Sequence, residues 1–338
     1  MPQQDQRKTF LRIGACPRRR HRLLIGVAAP LPAPAHRVLI DQGIARTRRH
    51  RPALTAESVV ERGIVGIDRS AAVSGVEGMA LDQELGNKQG IAHALGNLST
   101  LAVDQGDYTL AQSLQEAALA IDRELGNKRS LANALNGLGC IALEQGDYVS
   151  ARPLQEESLI LCREIGDKMG IARALSNLGY IAFGEGDSTT ACSLFEQCRE
   201  LYQKLENKEG IGQSLLNLGI LASEKHDYAT AHALLDQGLT LNRALDAKSL
   251  IAFFLEAFAA LAARQQKLER SARLWGAAEA IRKAIGTPLP PFERVRYDRW
   301  VMDARDSPGA ASFAAAWEQG SSMTIEQAIE YALQSTAA

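Results

Sequence analysis

The feature of this sequence that most constrains its fold is a repeat. The segment ELGNKQGIAHALGNL begins at Glu84, ELGNKRSLANALNGL begins at Glu124, and EIGDKMGIARALSNL begins at Glu164, so the interval is 40 residues. Internal periods of about 20 to 50 residues indicate stacked supersecondary units, none of which can bury its own apolar face alone. The period predicts one elongated array across much of the 338 residues.

Each repeat is predicted to be a pair of helices. Apolar residues follow helical spacing at Leu175, Leu178 and Ile181 in one segment, and at Leu194 and Leu201 in the next. Four near-complete units and a looser fifth are expected to begin at lysines 40 residues apart, namely Lys88, Lys128, Lys168, Lys208 and Lys248. A further half unit, matching only a second helix, is expected from Ser70 onward.

Glycine and aspartate punctuate the units. The GDY and GDS motifs at Gly106, Gly146 and Gly186 suit a left-handed residue that ends one helix, followed by an aspartate that caps the next. At the same kind of position the later units carry Glu206, His226 and Asp246. A side chain in the left-handed region costs on the order of 1 kcal/mol, so the fourth and fifth units are predicted to be less regular.

Small residues recur in register where paired helices must approach closely. They occupy Ser99, Gly139, Gly179 and Gly219 in the first helices, Ala111, Ala151, Ala191 and Ala231 in the second helices, and Ala118, Ser158, Cys198 and Gly238 seven residues later. With the segment NLGYIAFGEGDSTTA from Asn177 to Ala191, this pattern resembles the tetratricopeptide repeat family over residues 70–290. The resemblance implies an all-α, right-handed superhelical solenoid of antiparallel helix pairs.

The end of the chain departs from the repeat. Three helices are expected there: one ending near Ile285, one after Pro291, and one capped by Thr324 with Gln327 completing a capping box. This tail resembles the C-terminal end of large bacterial regulators that combine a nucleotide-binding switch with a repeat array, some of them LuxR-type or NB-ARC-like. The three tryptophans are interpreted as parts of a cap over the open end of the array, at Trp275, Trp300 and Trp317.

The beginning of the chain differs in charge and composition. Residues 1–70 contain fourteen Arg or Lys and five Asp or Glu, whereas the whole chain has a net charge of −1. Three interpretations stay open for this Arg- and Pro-rich segment: a secretory signal, a nucleic-acid-binding arm around Arg18, Arg19, Arg20 and Arg22, or a shifted reading frame in front of a fragment of a longer gene. The last is favoured. The predicted organisation is a disordered or non-native segment at 1–68, the array at 69–290 and a helical cap at 291–338.

Signatures of catalysis and of metal binding are missing from the sequence. It contains no GxxxxGK[ST] phosphate loop, no HExxH, no GxSxG and no CxxC, and its six histidines are scattered. Five cysteines without a paired spacing suit reduced thiols in a cytoplasm. No enzyme activity, cofactor or metal is therefore predicted. No apolar stretch is long enough for a membrane span.

The family resemblance places the first helix of each unit on an inner, concave surface. The predicted peptide-binding residues on this surface are Asn97, Asn136, Arg173, Asn177, Tyr180, Phe183 and Asn217. An Asn side chain can donate to and accept from a peptide backbone, although these asparagines could instead bond to neighbouring helices. Asp104, Glu144 and Glu224 make the surface mildly acidic, which favours a partner with apolar and some basic character.

The sequence thus predicts a protein–protein interaction scaffold, the sensor or interaction arm of a bacterial signalling or transcription regulator. The partner is expected to be a protein or peptide in the concave groove. The alternative is a nucleic-acid-associated transcription regulator that uses the basic N-terminal segment.

Overall fold

The computed structural model describes residues 79–289, 291–306 and 312–334, and for residues 291 and 292 the backbone alone. A helical stretch at 79–84 precedes thirteen helices, and the described residues contain no strand. Ten helices form five consecutive pairs: α1 Lys88–Asp104 and α2 Tyr108–Leu125, α3 Lys128–Glu144 and α4 Tyr148–Glu164, α5 Lys168–Gly184 and α6 Ser188–Lys204, α7 Lys208–Glu224 and α8 Tyr228–Ala244, and α9 Lys248–Arg264 and α10 Leu268–Ile285. Three more follow: α11 Pro291–Arg305, α12 Phe313–Ser321 and α13 Ile325–Leu333.

The five predicted unit starts are confirmed, because each first helix begins at its predicted lysine. The predicted caps are also present. The carboxylate of Asp107 accepts a hydrogen bond from the backbone N–H of Leu110, and Asp187 accepts one from Thr190 in the same way. These bonds satisfy donors that the first turn of a helix otherwise leaves unpaired. Local sequence therefore sets the boundaries of the pairs.

The later units do not lose regularity, so that expectation was wrong. Glu206, His226 and Asp246 adopt φ angles of 53°, 61° and 48°, in the left-handed region that glycine occupies in the earlier units. The closing bonds still form, since the N–H of Asn207 donates to the carbonyl oxygen of Tyr202 at 2.9 Å. Helices α7, α8 and α9 each keep 17 residues. Packing of the helix pairs outweighs a backbone strain of about 1 kcal/mol at each turn.

Close approach of paired helices explains the small residues. Ala111, Ala151, Ala191 and Ala231 have no exposed surface. A Cβ placed on Gly179 would lie 2.6 Å from the ring of Phe195, and one on Gly219 would lie 2.7 Å from Leu235. The predicted small positions are thus occupied because larger side chains do not fit between the helices.

The first helices form the inner side of the array. Helix α1 contacts α3, α3 contacts α5, and α7 contacts α9, in addition to the contacts within each pair. First helices that also touch one another lie on the inner side of the curve in a superhelical stack of helix pairs. The described part of the chain is an all-α, right-handed superhelical solenoid of antiparallel pairs with a helical C-terminal end.

The C-terminal end contains one helix more than predicted. The expected boundaries at Ile285 and Pro291 and the capping box between Thr324 and Gln327 are present. Helix α12 was not predicted: the sequence indicated no helix between the one after Pro291 and the one capped by Thr324, and α12 is only nine residues long. It packs closely along α10.

Two glycines make the contact between α10 and α12 possible. A Cβ on Gly276 of α10 would overlap the backbone carbonyl of Trp317, and a Cβ on Gly320 of α12 would overlap the backbone carbonyl of Arg273. The two backbones therefore touch. Trp275 is fully buried beside them, with its ring 6.3 Å from that of Phe313. This packing agrees with the interpretation of Trp275 as part of the cap.

The interpretations of segment 1–68 and the half unit predicted from Ser70 fall outside the described residues, apart from 79–84. Within the described part, no helix is both long and apolar enough to cross a membrane.

Candidate functional site

The concave surface has exposed positions on each of its first three inner helices. Asn97 and Thr100 of α1, Asn133 of α3 and Arg173 of α5 are exposed. The guanidinium of Arg173 donates a hydrogen bond to the side-chain oxygen of Asn133 at 3.2 Å, which joins neighbouring first helices. This part of the surface presents polar groups that a bound chain could reach.

The middle asparagines bond to neighbouring helices. The side-chain amide of Asn177 donates to the oxygen of Asn136 at 3.0 Å and contacts the sulfur of Cys140 at 3.3 Å. Asn136 and Asn177 are both half-buried. The alternative role for the asparagines, as links between helices, is therefore present in the structure at this pair.

Tyr180 is less accessible than the sequence suggested. Its hydroxyl donates to the side-chain oxygen of Asn217 at 3.1 Å and accepts from the amide of Gln213 at 2.6 Å. Its ring meets that of Phe195 edge-on, with centroids 5.4 Å apart. Asn217 is 6% exposed, and its amide nitrogen has no hydrogen-bond partner among the described residues. Tyr180 and Asn217 thus join α5 to α7 beneath the concave surface.

Phe183 is covered by a helix from outside the repeats. The guanidinium carbon of Arg296, in α11, lies 5.2 Å from the centre of the Phe183 ring and 5.1 Å from the ring of Trp300. Arginine held between two aromatic rings gains a cation–π attraction on both sides. The sequence placed Phe183 on the groove correctly but as an exposed residue, whereas it is half-buried under α11.

Helix α11 lies over the second half of the concave surface. It contacts α3, α9 and α10. A cavity of about 620 Å³ remains between it and the array, lined by residues of α5, α7, α9 and α11 and by Tyr148 of α4. Gly184 borders this cavity, and the ring of Tyr148 lies where a Cβ of Gly184 would be. The groove therefore divides into an open N-terminal half and a half occupied by α11.

Carboxylates line the occupied half, as the sequence predicted. Glu224 lies 3.5 Å from the guanidinium of Arg264, and burial raises its pKa despite this ion pair. Glu144 is half-buried, and burial together with the neighbouring charge of Glu293 raises its pKa to about 7. Among the described residues, none provides an ion-pair partner for Glu144. This half of the groove favours a cationic occupant.

A charge cluster lies at the start of α11. Glu256 of α9 accepts two hydrogen bonds from the guanidinium of Arg282 of α10, at 2.6 and 2.9 Å, and both side chains are buried. Glu293 is buried near this pair, and burial raises its pKa to about 6, against the opposing charge of Arg296. Glu256 opposes the ionisation of Glu293 and Arg282 favours it. Helix α11 thus places a buried carboxylate near a buried ion pair.

The described residues offer little for catalysis or metal binding. They contain no cluster of His, Cys, Asp and Glu that could hold a metal ion. The four described cysteines are free thiols, and burial raises the pKa of Cys140 to about 11 and that of Cys198 to about 11. Such thiols are poor nucleophiles, because the thiolate is the reactive form.

Sequence reasoning missed the residues that α11 contributes. Arg296 and Trp300 belong to the segment ERVRYDRW, where arginines and aromatic residues alternate at short spacing. This composition was the available signal, since arginine and aromatic residues are enriched at binding surfaces. It was interpreted only as part of a cap.

The comparisons with known proteins agree with this geometry. A sequence profile of the tetratricopeptide repeat matches residues 90–164 and 170–244. No curated protein matches the sequence.

Solved structures show the same fold at low sequence identity. The crystal structure of BtubC (BKLC) from P. vanneervenii superposes with a TM-score of 0.53 at 18% identity, over 66% of this chain and 93% of that one. The crystal structure of the apo form of RapI superposes with a TM-score of 0.51 at 16% identity, over 80% of this chain and 97% of that one. With the profile match and the helix pairs, these findings show that the chain contains tetratricopeptide repeats at residues 90–164 and 170–244.

Proposed function

We propose that this protein is a protein-interaction scaffold whose concave surface binds a protein or peptide partner, as the sensor or interaction arm of a bacterial regulatory protein in the cytoplasm. The observation that carries the proposal is the continuous inner surface of the first helices, open at Asn97, Asn133 and Arg173. The role requires no catalytic residue or cofactor.

The surface chemistry supports a partner with apolar and basic character. Phe183 and Tyr148 supply aromatic area at the covered end, and Glu144 and Glu224 supply negative charge beside it. Aromatic anchors next to complementary charges contribute most of the affinity at many protein interfaces. Asn97 is accessible for a bound backbone, whereas Asn217 is buried and accepts a hydrogen bond from Tyr180.

A photo-crosslinking amino acid tests the location of the binding surface. Placed at exposed Arg173 of α5, it should link to a protein partner in an extract of the source cells. The matched control is Arg163, which is exposed on α4, the second helix of its pair. Partner links at position 163 that equal those at position 173 would remove the concave surface from the proposal.

A second candidate function rests on the basic residues 1–70, with fourteen Arg or Lys against five Asp or Glu. This candidate function is nucleic-acid binding by the basic segment in a transcription regulator. It predicts a DNA affinity that falls steeply as the salt concentration rises and that is lost when residues 1–60 are deleted. Unchanged affinity after the deletion would reject it.

A further inference from the structure

Helix α11 contacts the repeats in the manner of a bound ligand. Its residues reach Phe183 of α5, the cavity wall at Glu224 of α7, and α3 and α9. Fifteen residues at about 1.5 Å each give it a length of about 22 Å, enough to cross several stacked first helices. An amphipathic helix laid in a groove is one of the recurring modes by which proteins recognise peptides.

The helix is weakly held compared with its neighbour. Among its residues with described side chains only Glu293, Val301 and Ala304 are buried, whereas ten residues of α10 are buried. Val295 is 75% exposed and Met302 is 61% exposed on α11. Segments with few buried apolar contacts open at lower free energy than the core does. Helix α11 is therefore suited to leave the groove while the array stays folded.

The fit of α11 in the groove is imperfect. The Nε of Arg296 is buried without a hydrogen-bond partner in the described part of the chain, as is the amide nitrogen of Asn217 beneath the groove. The charge of Glu293 also opposes the ionisation of Glu144. A ligand that supplied a cation to Glu144 would fit better than α11 does.

Two α11 residues, Arg296 and Trp300, occupy the groove together. Arg296 and Trp300 are four positions apart, so they lie on one face of the helix. The arginine contacts Phe183, while both residues line the cavity beside Glu224. A groove that combines aromatic rings with carboxylates matches this pair in shape and in charge.

We propose that the partner of this groove is an amphipathic helix with an arginine and, four residues later, an aromatic residue, and that it binds by displacing α11. The inference rests on the proposed function, because it assumes that the concave surface binds protein. Helix α11 then competes with the partner for the groove. The apparent affinity for the partner equals the intrinsic affinity multiplied by the fraction of molecules in which α11 is undocked.

The test uses a fluorescent synthetic peptide with the sequence of residues 291–306, PFERVRYDRWVMDARD, and the full chain. The peptide is titrated against wild type and against the double variant Arg296→Ala, Trp300→Ala, in which α11 should undock. The matched control is Arg294→Ala, an arginine on the same helix whose side chain is 62% exposed and pairs with Asp298. Circular dichroism checks that each protein stays helical.

We expect the double variant to bind the peptide at least about tenfold more tightly than wild type, and Arg294→Ala to bind like wild type. A peptide with alanine in place of its Arg and Trp should bind neither protein. Equal affinity for wild type and the double variant, or no binding to either, would overturn the inference. The crosslinks at Arg173 test the scaffold function separately, because they do not depend on α11.

Amide hydrogen exchange gives a second readout that needs no variant. Saturating peptide should speed exchange in α11 of the wild-type chain and leave α5 protected. Unchanged exchange in α11 at saturation would show that the peptide binds elsewhere, whatever the variants do.

Discussion

Replacing Gly276 with alanine should separate α12 from α10. Gly276 lies in the interior of α10, and an added Cβ would overlap the carbonyl oxygen of Trp317 and approach the backbone nitrogen of Ser321 at 3.1 Å. Both are backbone atoms, so no side-chain rotation relieves the overlap. One helix must move away from the other.

The magnitude follows from two opposing effects. Overpacking a close contact costs about 1–3 kcal/mol, and an overlap with backbone belongs in the upper part of that range. Alanine in a helix interior is better than glycine by about 0.5–1 kcal/mol. The net expectation is a loss of about 1–2 kcal/mol in the free energy of unfolding.

Gly96→Ala is the matched control. Gly96 lies inside α1, and the nearest atom to an added Cβ is a side-chain oxygen of Gln115 at 3.9 Å, an ordinary contact distance. This variant should gain about 0.5–1 kcal/mol, since only the helix preference changes.

Urea denaturation followed by tryptophan fluorescence measures the change in the free energy of unfolding close to the contact between α10 and α12. The three tryptophans of the chain, Trp275, Trp300 and Trp317, all report on the C-terminal end. A Gly276→Ala protein as stable as wild type, or stabilised like Gly96→Ala, would refute the backbone contact between α10 and α12.

Three further results are expected. Ala191→Leu should lower the free energy of unfolding by about 1–3 kcal/mol in urea, because Ala191 has no exposed surface, and a neutral result would mean that the repeat register is wrong. Glu206→Gly should raise it by up to about 1 kcal/mol, because glycine relieves the strain of a φ of 53°; an unchanged midpoint would show that this turn is not strained. The free energy of unfolding should fall as the pH rises from about 5 to about 7.5, because the folded state raises the pKa of Glu144 to about 7 and that of Glu293 to about 6, and so binds more protons than the unfolded chain. Glu144→Gln should flatten this fall, and a slope equal to that of wild type would contradict the assignment.

The repeat units could be predicted from sequence because their determinants are local. A helix start depends on a few neighbouring residues, such as Asp187 and the Thr190 N–H that it caps, and the 40-residue period shows each determinant several times. The predicted loss of regularity at Glu206 and His226 was wrong, because it considered only the residue in the turn and not the helices on either side. There the packing of whole helix pairs keeps the left-handed conformation.

The C-terminal end was harder because nothing in it repeats. Helix α12 is nine residues long, and its contact with α10 depends on Gly276 and Gly320, which lie far apart in the sequence. The residues next to each glycine in the sequence do not indicate which distant helix packs against it. A single sequence gives no measure of which distant segments touch.

The sequence indicated which residues lie on the concave surface, but not which of them are exposed and which are covered. Arg173 is exposed on the concave surface as expected, and Phe183 lies on the same surface. The sequence could not show that Arg296 covers Phe183, because that contact joins the repeats to a later, non-repeating helix. It also could not decide which asparagines bond to neighbouring helices, since Asn97 is exposed while Asn217 is buried and bonded to Tyr180.

The position of α11 across the concave surface is the central claim, and an intramolecular crosslink tests it most directly. A benzophenone amino acid in place of Trp300 should link α11 to the segment that contains Phe183 and Gly184, as identified by mass spectrometry of the digested full chain. The same amino acid at Met302, which is 61% exposed on α11, should give few such links. Links from position 300 to this segment that are no more frequent than those from position 302 would contradict the placement of α11 in the groove.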